Sequence, residues 1–167
     1  MRKKILLISA TSRNNLTLSN KIQEITANLD VQCDLINLEE FEIPLYTPIQ
    51  QKSGTPLPVQ ELIPRFIDAS GFIICAPEYN GSIPPILTNL IAWISVSTDK
   101  WRDVFNGKIA LIGTHSGGGG NNFLQAMKIQ LAHLGAIVLP RNIVVNSYAE
   151  FNPDSTREKI KQLIELL

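Results

Sequence analysis

Three short apolar runs, each followed by a polar loop and a helix-like repeat, constrain the fold of this chain most strongly. The runs span residues 4–9, 72–76 and 108–113. A strand that is apolar at successive positions has both faces covered, which is typical of parallel sheets between helices. The pattern therefore predicts an α/β fold in which a parallel sheet lies between two layers of helices.

The remaining pattern predicts five strands in all, and we expect them in the order 2-1-3-4-5, which is common in doubly wound sheets. We predict an alternating strand near a sheet edge over residues 31–38, and a fifth strand over 136–139, alone or together with 143–145. Pro64 is expected to break or kink the helix that contains it. Apolar residues at helical spacing predict helices over 18–29, 59–69, 85–97, 123–134 and 155–167.

Size and charge narrow the class of protein. The chain has 167 residues, which fits one domain over 1–167. Its 15 basic and 15 acidic residues leave a formal net charge of zero, which argues against a nucleic-acid partner. Cys33 and Cys75 lie in apolar runs without metal-ligand spacing, so we expect buried thiols and no metal. We see no signal peptide or membrane-spanning run, so we expect a cytoplasmic protein without a membrane partner.

The first loop, residues 9–20, places hydroxyl side chains and Arg13 between the first strand and its helix. A helix N-terminus offers unpaired N–H groups and a positive dipole end, so Thr11 and Arg13 would suit a terminal phosphate there. The patterns GxxxxGK[ST] and GxGxxG are absent, which disfavours a nucleoside triphosphate or an ordinary dinucleotide. The alternative is that the hydroxyl groups only cap the helix.

The second loop, residues 76–84, combines a restricted backbone with polar side chains. Two prolines fix its ends, while a tyrosine and an asparagine supply a ring and an amide, which together suit a planar heterocycle. Glu78 could contact that ligand, form an ion pair or anchor a loop. The alternative is a purely structural turn with positive φ at Asn80 and Gly81. The candidate binding residues are Pro77, Glu78, Tyr79, Asn80 and Gly81.

The third loop, residues 113–122, contains four consecutive glycines from Gly117 onward. They let the backbone pass close to a flat ligand. His115 could donate to a ligand carbonyl or serve a substrate, or it could be an exposed loop histidine without a role. All three loops follow adjacent strands of the predicted sheet, at the point where the chain reverses direction and a ligand crevice opens. A phosphate at the first loop and a ring at the other two describe a mononucleotide with a large planar head, and FMN fits that description.

The segment from Pro77 to Trp93 carries a resemblance to the NADPH-dependent FMN reductase family, which includes chromate, quinone and azo-dye reductases. The family shows PEYNxSxPxxLKNxxDW, which this chain matches over residues 77–84 and at Leu87, Asn89 and Trp93. It has Ala92 where the family has Asp, and Pro85 where the family usually has a small residue. The resemblance extends over nearly the whole chain.

The other two loops resemble the family less closely. The family shows GSxRxxSxN in the first loop, where this chain matches Arg13 and has Ala10 and Thr11 in place of Gly and Ser. One residue is inserted after the arginine, so the resemblance makes Thr17 and Ser19 the equivalents of the later phosphate-binding residues. In the third loop it points to Thr114 or, after a shift of one residue, to Ser116.

The resemblance implies a flavodoxin-like three-layer sandwich with tightly but non-covalently bound FMN. Hydride would pass from NADPH or NADH to flavin N5, and then to a quinone, azo, metal-oxyanion or free-flavin acceptor in a ping-pong cycle. Because the flavin carries the chemistry, no catalytic side chain is assigned. The family also implies a homodimer or homotetramer.

Two other functions remain open from the sequence. One is a flavodoxin-type electron carrier, although such carriers have a strongly negative surface and this chain has no net charge. The other is a sensor or scaffold that has lost turnover, for which the substitutions at Ala10 and Ala92 are the argument.

Overall fold

A computed structural model describes residues 3–99 and 102–167, and a parallel sheet forms its centre. The strand order is β2-β1-β3-β4-β5, and β6 also pairs with β4. This order confirms the predicted fold. The strands are β1 Lys4–Ser9, β2 Gln32–Asn37, β3 Gly71–Cys75, β4 Ile109–His115, β5 Ile137–Val138 and β6 Ile143–Val145.

Helices cover both faces of the sheet. One buried cluster joins α1 and α6 to one face, and a second cluster joins α3, α4 and α5 to the other. A 3₁₀ turn, Leu38–Glu40, follows β2. The helices are α1 Asn14–Thr26, α2 Pro48–Gln51, α3 Leu57–Asp68, α4 Pro85–Val96, α5 Asn121–His133 and α6 Pro153–Leu166.

Two short strands share the fifth position of the sheet. β5 pairs with Ile109 and Ala110 at the beginning of β4, whereas β6 pairs with residues 113–115 at its end. Pro140 lies between them and has no N–H to donate to a ladder. The stretches 136–139 and 143–145 therefore form one interrupted strand position.

The expected break at Pro64 is wrong, because α3 runs without interruption from Leu57 to Asp68. Proline cannot bond the carbonyl of Gln60 one turn earlier. Gln60 and Pro64 are both exposed, so water can donate a hydrogen bond to the Gln60 carbonyl. Leu62 and Phe66 are buried on the opposite face and hold the helix against the sheet. Packing here overrides local helix propensity.

The proline-rich segment between β2 and α3 is fastened to α4. Asn89 accepts the Tyr46 N–H at 2.7 Å and donates from Nδ2 to the Pro44 carbonyl at 3.1 Å. Trp93 Nε1 donates to the same carbonyl at 2.7 Å, and its ring packs edge-on against Tyr46. Asn89 and Trp93 therefore hold this segment in place.

Candidate functional site

A polar crevice lies at the carboxyl ends of β1, β3 and β4. Because β1 pairs with β2 on one side and β3 on the other, this is the topological switch point of the sheet. The crevice contains a cavity of about 180 Å³. Eight predicted residues line it: Thr11, Arg13, Pro77, Glu78, Tyr79, His115, Ser116 and Gly117.

Arg13 stands at the beginning of α1 with its side chain exposed. Among the residues that the structure describes, its guanidinium has no hydrogen bond or ion pair. No side chain caps α1, so its first N–H groups also lack a side-chain partner. An unpaired guanidinium beside an uncapped helix N-terminus is suited to bind an anion.

The end of β2 braces the loop that precedes Arg13. Glu39 Oε2 accepts the Ser12 N–H at 2.8 Å, and Asn37 Nδ2 donates to the Ser12 hydroxyl at 3.0 Å. The backbone N–H of Ser12 is therefore already occupied and is not available to an anion in this arrangement.

The structure does not bring Thr17 and Ser19 to the cavity. Thr17 is exposed further along α1, and Ser19 is fully buried beside the Cys75 thiol. Asn14 and Asn15 line the cavity instead, and the sequence interpretation missed both. An asparagine pair directly after Arg13 is a signal that could have found them, because asparagine is favoured where helices begin.

Asn15 connects the first loop to the end of β4. Its side chain is buried, with Oδ1 accepting the His115 N–H at 2.9 Å and Nδ2 donating to the His115 carbonyl at 3.0 Å. His115 is the last residue of β4 and is half-buried, which corrects the expectation of an exposed loop histidine. This two-bond bridge fixes α1 against the third loop.

The second loop folds into a two-residue turn. Tyr79 and Ser82 exchange backbone hydrogen bonds of 3.1 and 2.9 Å around Asn80 and Gly81, whose φ values are 49° and 69°. Positive φ at both central positions is the geometry of a type I′ turn, which favours an Asn-Gly pair. Tyr79 is 49% exposed at the cavity edge, whereas Asn80 and Gly81 do not line the cavity.

Glu78 fastens the second loop to α5. Its Oε2 accepts the N–H groups of Asn122 and Phe123 at 2.9 and 3.1 Å. Its own N–H donates to Ser116 Oγ at 2.9 Å, and that hydroxyl lies 2.8 Å from the hydroxyl of Thr114. Thr114 is fully buried and does not line the cavity. Of the roles foreseen for Glu78, the carboxylate takes that of a loop anchor.

The glycine loop leaves open space beside the cavity. A Cβ placed on Gly117 or Gly118 would meet no atom within 4 Å. Gly120 differs, because its φ is 69° and a Cβ there would lie 2.9 Å from Thr114 Cγ2. Ser147 Oγ donates to the Gly117 carbonyl at 3.0 Å and holds the beginning of the loop. The loop is thus fixed at both ends and open in its middle.

Neither thiol lines the cavity; Cys75 is buried as expected, whereas Cys33 is only half-buried. Burial raises the pKa of Cys75 to about 12 and raises the pKa of Cys33 as well. Thiols with raised pKa values are inert because the thiolate is the reactive form. Across residues 3–99 and 102–167 there is also no group of three His, Cys, Asp or Glu side chains that could hold a metal. In the same residues, none of the helices has the length and apolar character needed to span a membrane.

Comparison with protein families gives one match over most of the chain. The sequence model of the family described as NADPH-dependent FMN reductase matches residues 3–150.

Relatives include a quinone reductase of Escherichia coli (strain K12), which is 38% identical over 101 residues. That match covers 59% of this chain and 52% of the quinone reductase. An NADPH azoreductase of Bacillus sp. (strain OY1-2) is 28% identical over 114 residues, covering 68% of this chain and 61% of the azoreductase. The match thus spans about half the length of the first relative.

Among solved structures, the fold is similar to that of the flavoenzyme FerB, an NAD(P)H:acceptor oxidoreductase from Paracoccus denitrificans. The TM-score is 0.79 with 19% identity, and the alignment covers 98% of this chain and 96% of FerB. Likeness at this identity shows the shared fold.

Proposed function

Since this chain belongs to the NADPH-dependent FMN reductase family, we propose that it is an FMN-dependent NAD(P)H oxidoreductase with a small-molecule electron acceptor. The observation that carries the proposal is the crevice itself. Arg13 and the uncapped α1 terminus lie on one side of it, and the Tyr79 turn and open glycine loop lie on the other. Anion binding next to an open, backbone-lined surface suits a phosphate joined to a planar ring.

The cavity is large enough to enclose only part of an FMN molecule. Its volume of about 180 Å³ is below the ~300 Å³ at which pockets for whole small molecules begin. We propose that it takes the phosphate and ribityl chain, and that the ring lies along the Tyr79 turn and Gly117.

The side chains of the crevice are proposed to bind and orient rather than to exchange protons. When bound, FMN would supply the hydride-transfer chemistry between a nicotinamide donor and the acceptor. Arg13 and the first N–H groups of α1 hold the phosphate. Asn15 and Glu78 keep the three loops at fixed separations, and the backbone of the Pro77 loop contacts the ring edge.

The relatives suggest the class of acceptor. A quinone reductase and an azoreductase are both similar to this chain. We propose quinones and azo compounds as the first acceptors to test, followed by metal oxyanions and free flavin, with NADPH and NADH compared as donors.

The decisive experiment combines a spectrum with a reductant. The purified protein, loaded with FMN and gel-filtered, should retain the flavin absorbance at about 450 nm and lose it rapidly when NADPH is added without oxygen. A quinone added afterwards should restore the absorbance. Failure to bind FMN would exclude the proposal, and retention of FMN without bleaching by NADPH or NADH would favour an electron carrier.

A further inference from the structure

Helix α5 obtains its N-terminal cap from a distant part of the chain. Its N-cap residue, Gly120, has a φ of 69° and no side chain to donate or accept a hydrogen bond. Glu78, which lies 44 residues before Asn122, accepts the N–H of Asn122 at 2.9 Å through Oε2, and the same oxygen accepts the N–H of Phe123 at 3.1 Å. Caps of this kind normally come from the residue that begins the helix.

The contact joins two opposite charges. A carboxylate that accepts backbone N–H groups at a helix N-terminus forms charge-assisted hydrogen bonds and neutralises the positive end of the dipole. Glu78 is the residue directly before Tyr79, so the neutralised helix end lies next to the turn that lines the crevice.

Glu78 also holds the other end of the glycine loop. Its N–H donates to Ser116 Oγ at 2.9 Å, and the Ser116 N–H donates to the Val145 carbonyl at 3.1 Å. Glu78 thus contacts both ends of the run of four glycines. Its N–H bonds Ser116 before the run, and its carboxylate bonds Asn122 and Phe123 after it. Between these two ends the loop borders open space, since a Cβ placed on Gly117 or Gly118 would meet no atom within 4 Å, and Ser147 Oγ donates to the Gly117 carbonyl.

We propose that Glu78 is a positioning residue that sets the spacing between the Tyr79 turn and the glycine loop, and that its charge offsets the α5 dipole beside the ring site. The inference rests on the proposed function, because the ring that would occupy this gap is that of FMN. The carboxylate acts through the backbone of α5 and need not touch the ligand.

The test compares Glu78→Gln and Glu78→Ala with Asn152→Ala. Asn152 caps α6 by accepting the Ser155 N–H at 2.9 Å and does not line the crevice, so its loss is a matched loss of one helix cap. Hydrogen exchange on the FMN-free proteins reports the amides of Asn122 and Phe123. Fluorescence titration gives the Kd for FMN, and dye equilibration gives the midpoint potential of the bound flavin.

We expect both Glu78 variants to exchange those two amides faster than wild type, and Asn152→Ala to leave them unchanged. Glu78→Ala should weaken FMN binding by about tenfold, because a displaced glycine loop loses hydrogen bonds to the ligand. Glu78→Gln keeps the shape of the side chain and should weaken FMN binding less. It should raise the midpoint potential, because the unopposed helix dipole favours the more negative reduced flavin.

FMN affinity and midpoint potential equal to those of wild type in the Glu78→Gln protein would overturn the inference. Unchanged exchange at Asn122 and Phe123 would overturn it as well. The glutamine variant decides the matter even if Glu78→Ala does not fold. Failure of the proposed function would be distinguishable from failure of this inference, because the wild-type protein itself would then bind no FMN.

Discussion

At the scale of single residues, the side chains of the crevice are of two kinds. Some are held by hydrogen bonds to the backbone, and others are available to a ligand. The Asn15 side chain bonds the backbone of His115 at the end of β4, and the Glu78 carboxylate bonds the backbone at the beginning of α5. Arg13 is exposed, and within the described residues its guanidinium makes no hydrogen bond or ion pair. Engaged side chains maintain the shape of the crevice, whereas a free guanidinium is available to a ligand.

Replacement of Arg13 by alanine should weaken FMN binding by about 1.5–3 kcal/mol, the range for losing a hydrogen bond to a charged group. Isothermal titration or quenching of flavin fluorescence would measure it. Arg157→Ala, which removes an arginine of α6, should leave the affinity as in wild type. An unchanged affinity in the Arg13 variant would mean that the phosphate is held elsewhere.

Cys75 should lower the stability of the protein at alkaline pH. In the folded state burial raises its pKa to about 12, from an ordinary value of 9.0. Above pH 9 the unfolded chain therefore loses a proton that the folded chain keeps, so the free energy of unfolding falls as pH rises toward 12. Urea unfolding at pH 8 and pH 10 should show a larger loss for wild type than for Cys75→Ala. Equal losses would contradict the assignment.

The residues of the site were predictable to different degrees, for physical reasons. The Asn-Gly turn follows from backbone chemistry, because both central positions need positive φ. The prediction that Thr17 and Ser19 bind phosphate depended on where α1 begins. A shift of one or two residues along a helix changes the face on which a side chain lies. The anchoring role of Glu78 depends on a contact 44 residues away, which no local pattern specifies.

At the scale of secondary-structure elements, proline acts according to its place in the element. Pro58 lies in the first turn of α3, where its missing N–H has no helical acceptor, and Pro64 lies in the interior. The continuous helix around Pro64 could not be inferred from propensity, because buried residues on the other face decide it. Likewise, the sequence showed two candidate stretches for the fifth strand. Only the pairing shows that one lies beside the beginning of β4 and the other beside its end.

Pro64→Ala should stabilise the protein by about 1–3 kcal/mol, because alanine restores the N–H that can bond the Gln60 carbonyl. Pro58→Ala should change the stability little, since a first-turn N–H finds no partner within the helix. Denaturant titration of both variants would compare them. A gain that is equal in both, or absent from the Pro64 variant, would show that the proline is already well accommodated.

At the scale of the whole molecule, the parallel sheet between two layers of helices was predictable from the regular alternation of strands and helices, which is a property of the entire chain. The surface was less predictable. Leu45, Ile49 and Leu57 are 73, 79 and 72% exposed, all in or just after the segment that is fastened to α4. Exposed apolar side chains together with zero net charge favour self-association.

We therefore expect the protein to form a homodimer or homotetramer, and Ile49→Asp to shift it toward the monomer. Ile129 is also 72% exposed but lies on α5, so Ile129→Asp is a matched control that should leave the assembly intact. Light scattering coupled to gel filtration would report the masses. A monomeric wild type, or equal dissociation by both substitutions, would be inconsistent with this surface.

The bridge between Asn15 and His115 joins positions that are 100 residues apart. A chain made from its N-terminus exposes the arginine of the first loop long before β4 leaves the ribosome. Until β4 has paired, nothing holds the beginning of α1 in register with the glycine loop. The complete ligand crevice therefore requires residues that are synthesised late, and a flavin added during translation should be captured only after the residues around His115 have emerged.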